Sequence, residues 1–197
     1  LPFLEAIRQL RNELGKTKTL FIHLTLVPFL SSANEFKTKP TQHSVKELLG
    51  LGIQPDILLC RTERKFDKSA KSKISLFCNI SLESVILVEN AKTIYEIPVK
   101  LNQQKLLKQL FCHFNLPQNK KINLGLWENF LQKYYKLNNS VCVAIVGKYT
   151  NLSESYKSLN EALFHSGIYN NTKVEIKWVD SKKINSLKKC DSYFRGC

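Results

Sequence analysis

There is no methionine among the 197 residues, no C-x-x-C pair, and only five arginines (Arg8, Arg11, Arg61, Arg64, Arg195) among thirty basic side chains. Each absence excludes something. The six cysteines (Cys60, Cys78, Cys112, Cys142, Cys190, Cys197) do not form a zinc ribbon or a disulfide framework by spacing, so free and mostly buried thiols are expected. The four histidines form no metal set, and no paired carboxylates suggest shared magnesium ligation, so no metal ligands are assigned. No uncharged apolar run approaches the ~20 residues of a bilayer span, and no secretory signal opens the chain. A cytoplasmic protein without a membrane role is expected. A net charge of +14 raises nucleic-acid binding, but the lysines are scattered and no basic and aromatic single-strand motif occurs. Nucleic acid is therefore not an expected partner. With its Leu1 start and missing methionine, the chain reads as a piece of something longer.

A hydrophobic content of 43% suits a packed globular chain, and helical and extended patterns alternate, which points to α/β architecture with a largely parallel sheet. Leu4, Ile7, Leu10 and Leu14 fall at helical spacing, with Pro2 in the first turn and Gly15 ending the helix. A strand is predicted at 19–26, then a helix at 43–49 closed by Gly50 and Gly52, then a short buried strand at 56–60. Asp67 caps a helix reaching Cys78, with Ile74 and Phe77 facing the core and Asn79 ending it, before a strand at 84–88. A helix at 103–114 precedes Leu116-Pro117-Gln118-Asn119-Lys120-Lys121-Ile122-Asn123, a linker by composition. After a helix at 127–137, a strand at 141–146, a helix at 155–164 and a strand at 174–179 begin a second α/β unit. The expected domains are 1–115, a linker at 116–139, and 140–197.

Lys37-Thr38-Lys39-Pro40-Thr41-Gln42 puts two ammonium groups and two hydroxyls into one turn leading into a helix. Pro40 fixes its own φ and pushes Lys39 toward extended backbone, while Thr41 is placed to cap the helix, whose first N–H groups favour an anion. By themselves these residues read more readily as a solvated loop than as a polyphosphate cradle, while Lys73 on the following helix fits a solvated lysine as well as a third phosphate ligand. Gly147-Lys148-Tyr149-Thr150 follows a strand, but Cys142 and Tyr149 stand where a Walker A loop needs glycine and Ser/Thr. Cys142 lies within a strand, not on a nucleophile elbow, and His165 has no cysteine and acid companions in view.

The runs His23-Leu24-Thr25-Leu26-Val27-Pro28, Glu35-Phe36, His43 to Leu49, Gly52 to Arg61, Lys73 to Asn79, Thr93 to Pro98, Val146 to Tyr149 and Tyr156 to Leu163 resemble the CTP synthase family. The likeness covers nearly all of the chain and is weakest at 102–140 and after Asp191. It implies a Rossmann-like parallel sheet ending an amidoligase domain, an interdomain linker, and the truncated start of a class I glutaminase domain. It further implies that UTP, and the inhibitor CTP, are held by Lys37, Thr38, Lys39, Pro40, Thr41, Gln42 and Lys73. Glu89, Asn90 and Ala91 would stand beside the ATP adenine, although this triplet departs from the Lys-Asp-Val form of some members. Phe77 is read as a core residue in preference to a base-stacking one.

The family converts UTP to CTP with ATP, Mg²⁺ and ammonia released from glutamine, in a homotetramer whose nucleotide pocket forms where subunits meet. The phosphate-cradling loop, the magnesium-binding acids and the glutaminase triad match nothing in this sequence, so no catalytic residue is assigned and the chain alone is expected to be inactive. Two alternatives stand beside this: a non-catalytic UTP/CTP-binding or subunit-docking remnant, and, more distantly, a basic nucleic-acid binder.

Overall fold

The computed structural model describes residues 2–65, 67–117 and 123–197. They divide into two compact units, Leu1–Asn123 and Leu124–Cys197. Residues 118–122 of the expected linker lie outside the described residues.

The first unit begins with α1 (Pro2–Leu14), which Gly15 ends at φ +82. Its sheet is β1 (Ile22–Leu26), β4 (Ile57–Thr62) and β5 (Val85–Glu89), all parallel in the order β1-β4-β5, with Thr25 opposite Cys60 and Cys60 opposite Leu87. A small hairpin, β2 (Phe29–Leu30) with β3 (Glu35–Phe36), intervenes before α2 (Lys39–Gly50). Then come α3 (Lys68–Cys78), α4 (Ile97–Gln103) and α5 (Leu106–His113).

Alternate residues of the strands feed two cores. Leu58, Cys60, Val85 and Leu87 pack with Val45 of α2 and with Ala70, Ile74 and Cys78 of α3. Ile57 and Ile86 point to the other face, against Leu101, Leu106 and Leu110 of α4 and α5. Both faces of β4 and β5 are thus covered, as parallel strands require. Full burial of each Leu, Ile or Val contributes roughly 1.5–3 kcal/mol.

Several sequence expectations are met closely. The Asp67 carboxylate accepts from Ala70 N at 2.9 Å, and Asn79 takes the left-handed conformation that ends α3. Others are corrected. α2 starts at Lys39, four residues before the expected start, because Pro40 has the φ of a first helical turn; Lys39 is its first residue, not an extended one. Thr41 is therefore inside the helix and caps nothing. Phe77 is 64% exposed: the buried stripe of α3 runs through Ala70, Ile74 and Cys78 at i, i+4, i+8 spacing, which rotates Phe77 outward. The helix expected at 103–114 is α5, which starts three residues late, at Leu106, because Lys105 at φ 62 separates it from α4, a helix not expected from the sequence.

The second unit comprises α6 (Gly125–Tyr135), β6 (Asn139–Gly147), α7 (Lys157–Tyr169), β7 (Thr172–Asp180) and α8 (Leu187–Phe194). β6 and β7 pair in parallel from Asn139 opposite Thr172 to Gly147 opposite Asp180, with α7 as their crossover. Gly147 makes room for Tyr156, whose hydroxyl donates to Lys148 O at 2.6 Å; a Cβ at 147 would overlap that hydroxyl. The thiols are not all free: Cys142 of β6 is disulfide-bonded to Cys197, Cα atoms 4.6 Å apart, because the segment after α8 returns to the strand. Cys60, Cys78, Cys112 and Cys190 take no part in a disulfide, and of these only the first two are buried.

Candidate functional site

β1, β4 and β5 run in parallel, so their carboxyl ends meet at one edge, where ligands of doubly wound sheets sit. Beyond β1 the chain is pinned: Val27 N donates to Arg61 O at 2.8 Å and Lys37 N to Pro28 O at 2.9 Å. The β2–β3 hairpin between them delivers Lys37 to the start of α2. Thr38 occupies the cap position without a side-chain cap bond; its hydroxyl accepts from Gln42 Nε2 at 3.0 Å. Thr41 is fully buried, and its hydroxyl donates toward both Thr25 Oγ1 (3.1 Å) and Leu26 O (3.2 Å). It locks α2 onto the end of β1 and turns away from solvent.

A cavity of about 400 Å³ opens beside this turn. Thr38 and Lys73 both line it, so the loop and α3 face one space, together with Glu35, Arg64, Lys65 and Asp67. Lys37 is ion-paired with Glu35. The hydrogen bond and charge of Lys37, with a further contribution from Lys73, hold the Glu35 carboxyl below its ordinary range. Lys39 and Pro40 are exposed on the first turn of α2, and Gln42 is committed to Thr38. The guanidinium of Arg64 lies over Phe29, 4.5 Å from the ring centroid, and the Phe29 and Phe36 rings are 4.9 Å apart. Sequence reasoning missed Phe29, Glu35, Arg64 and Lys65 as lining residues. The position of Arg64 and Lys65 just past a buried strand was the available signal for those two.

Glu89, Asn90 and Ala91 leave the same edge. Asn90 N donates to Thr62 O at 3.0 Å, and Asn90 O accepts from Lys100 Nζ at 3.2 Å, so both backbone groups of Asn90 are engaged. Glu89 lines a 280 Å³ hollow with Lys65, Lys100 and Gln103. Lys65 therefore borders both spaces. Among the described residues no group of three or more His, Cys, Asp or Glu would hold a metal ion. Burial pushes the Cys60 and Cys78 thiols up to about 11, which makes them poor nucleophiles at neutral pH. No helix among the described residues is long and apolar enough to cross a membrane.

A parallel sheet flanked by helices, with a polar cleft beyond its strand ends, defines the class: a parallel-sheet α/β protein. The chain belongs to the CTP synthase N-terminus family, whose model matches residues 1–116. It is 54% identical over 182 residues to CTP synthase of Rhodospirillum rubrum, covering 92% of this chain and 34% of that protein. The CTP synthase of Hydrogenobaculum sp. is 54% identical over 185 residues (94% of this chain, 34% of that protein). That of Acidiphilium cryptum is 50% identical over 182 residues (92% and 34%). The chain thus spans about a third of the length of these relatives.

Proposed function

We propose that this chain is the nucleotide-binding middle of a CTP synthase, the ligase that converts UTP to CTP with ATP and glutamine-derived ammonia. On this reading the first unit ends a Rossmann-like amidoligase domain, and the second begins a class I glutaminase domain in which β6, α7 and β7 form the opening β–α–β step. The parent acts as a homotetramer in the cytoplasm.

The observation that carries the reading is the meeting of Thr38 and Lys73 on one cavity, with Lys37 ion-paired to Glu35 of its lining. A triphosphate entering there displaces the Glu35 carboxylate and takes charge-assisted bonds from Lys37 and Lys73. Lys39, free on the first turn of α2, closes over the same phosphates. The long match to relatives named CTP synthase supports UTP and CTP as the ligands. Thr41 contributes by fixing the turn, and Pro40 by starting α2. The 89–91 segment is assigned to the ATP adenine through its side chains and outer face, since the Asn90 amide and carbonyl are already bonded.

Among the described residues no group of three or more His, Cys, Asp or Glu would hold the Mg²⁺ that accompanies ATP. What these residues do is bind and orient the pyrimidine nucleotide. Calorimetry with UTP tests this: the chain binds, and a Lys37→Ala/Lys39→Ala double variant and a Lys73→Ala variant each bind at least about ten-fold more weakly. Equal affinity in all three proteins would overturn the reading.

A further inference from the structure

We infer a second anion site, for a small phosphorylated molecule, at the opposite edge of the sheet. A cavity of about 530 Å³ opens where the strands begin, floored by Leu20 before β1 and by Ile57 at the start of β4. Its volume falls in the range of small-molecule sites. Lys71, Lys105 and Lys108 line it, and among the described residues none of these three ammonium groups is paired with a carboxylate.

The other polar groups of the wall are already engaged. Gln104 receives Leu87 N at 2.8 Å and donates back to Leu87 O. Gln109 donates to Glu83 O at 2.7 Å and accepts from Ser84 Oγ at 3.1 Å, while Ser81 Oγ donates to Ser84 Oγ at 2.9 Å. Asp56, also on the lining, is held by Arg11. That leaves three cations against the single uncommitted carboxylate of Glu83. The two glutamine clamps fix the wall before any ligand arrives, and Lys105 sits between them in a left-handed conformation, φ 62, which is unfavourable for a non-glycine residue. Free ammonium donors on a prebuilt wall answer an anion with several acceptor oxygens, and phosphate supplies them.

The test is an NMR titration of the ¹⁵N-labelled chain with inorganic pyrophosphate. Saturable shifts at Ser84, Lys105 and Lys108 are expected. A Lys105→Gln/Lys108→Gln double variant weakens that binding at least about ten-fold while its affinity for UTP is unchanged. Should the double variant fail to fold, Lys71→Gln alone gives the same reading, with loss of these shifts expected. Non-saturating shifts, shifts confined to residues 35–42 and 73, or unchanged affinity in a folded variant would overturn the site.

Discussion

Arg11 and Asp56, forty-five residues apart in sequence, are joined by two parallel hydrogen bonds of 2.7 and 3.0 Å. The same carboxylate accepts from Phe21 N at 2.7 Å, and the guanidinium lies 4.3 Å from the Phe21 ring centroid. One side chain of α1 thus ties that helix to the entrances of two strands. Burial alone would raise the Asp56 carboxyl, but Arg11 and the Phe21 amide outweigh it and hold the group below its ordinary value.

Asp56→Asn should therefore lower unfolding free energy at pH 7 by about 2–3 kcal/mol. The contribution of a depressed carboxyl is complete above the unfolded value near ~3.9 and disappears as pH falls through the folded one. Denaturant melts of both proteins should differ at pH 7 and converge near pH ~2. A gap of the same size at both pH values would refute the assignment.

Thr41→Val removes a buried donor and leaves Leu26 O without it. We expect a loss of about 1–2 kcal/mol in stability, with Thr41→Ser close to wild type. If Thr41 acts through the fold and not by touching phosphate, UTP affinity measured well below the melting temperature should change less than about two-fold in either variant. That is ~0.4 kcal/mol. A larger loss in Thr41→Val alone would make the hydroxyl a direct ligand.

Glu35 competes with any phosphate for Lys37. Glu35→Gln frees the ammonium and should tighten UTP binding about two- to five-fold at low salt, the scale of an exposed ion pair, with the gain shrinking as salt is added. Weaker binding in the variant would instead make Glu35 part of the ligand contact.

The cysteines should separate into three groups on alkylation with iodoacetamide at pH 8. Cys112 and Cys190 react in the native protein. Cys60 and Cys78, buried and with thiols near 11, react only on unfolding. Cys142 and Cys197 require reduction first. Labelling of Cys142 without reductant, read by peptide mass, would rule out the bond.

What could be seen in the sequence was local. The cap at Asp67, the left-handed stop at Asn79 and the apolar runs of β4 and β5 each depend on residues a few positions apart. The lysine turn was visible for the same reason, as a cluster of donors. The inward turn of Thr41 depends on the end of β1, and the outward turn of Phe77 on which stripe of α3 meets the sheet; neither is encoded within its own segment. Arg64 follows β4 and was to that extent foreseeable, but its seat over Phe29 depends on the β2–β3 hairpin. The break at Lys105 carries no glycine or proline to announce it.

Gln104 has a consequence for assembly. By taking both the amide and the carbonyl of Leu87, one glutamine side chain does the work of a neighbouring strand and seals that flank of β5. Recruitment of further strands is thereby made unidirectional: β1, the other edge of the order β1-β4-β5, has no strand beside it among the described residues and is the flank still open to extension. A fluorescent strand peptide should anneal there and be refused on the glutamine side.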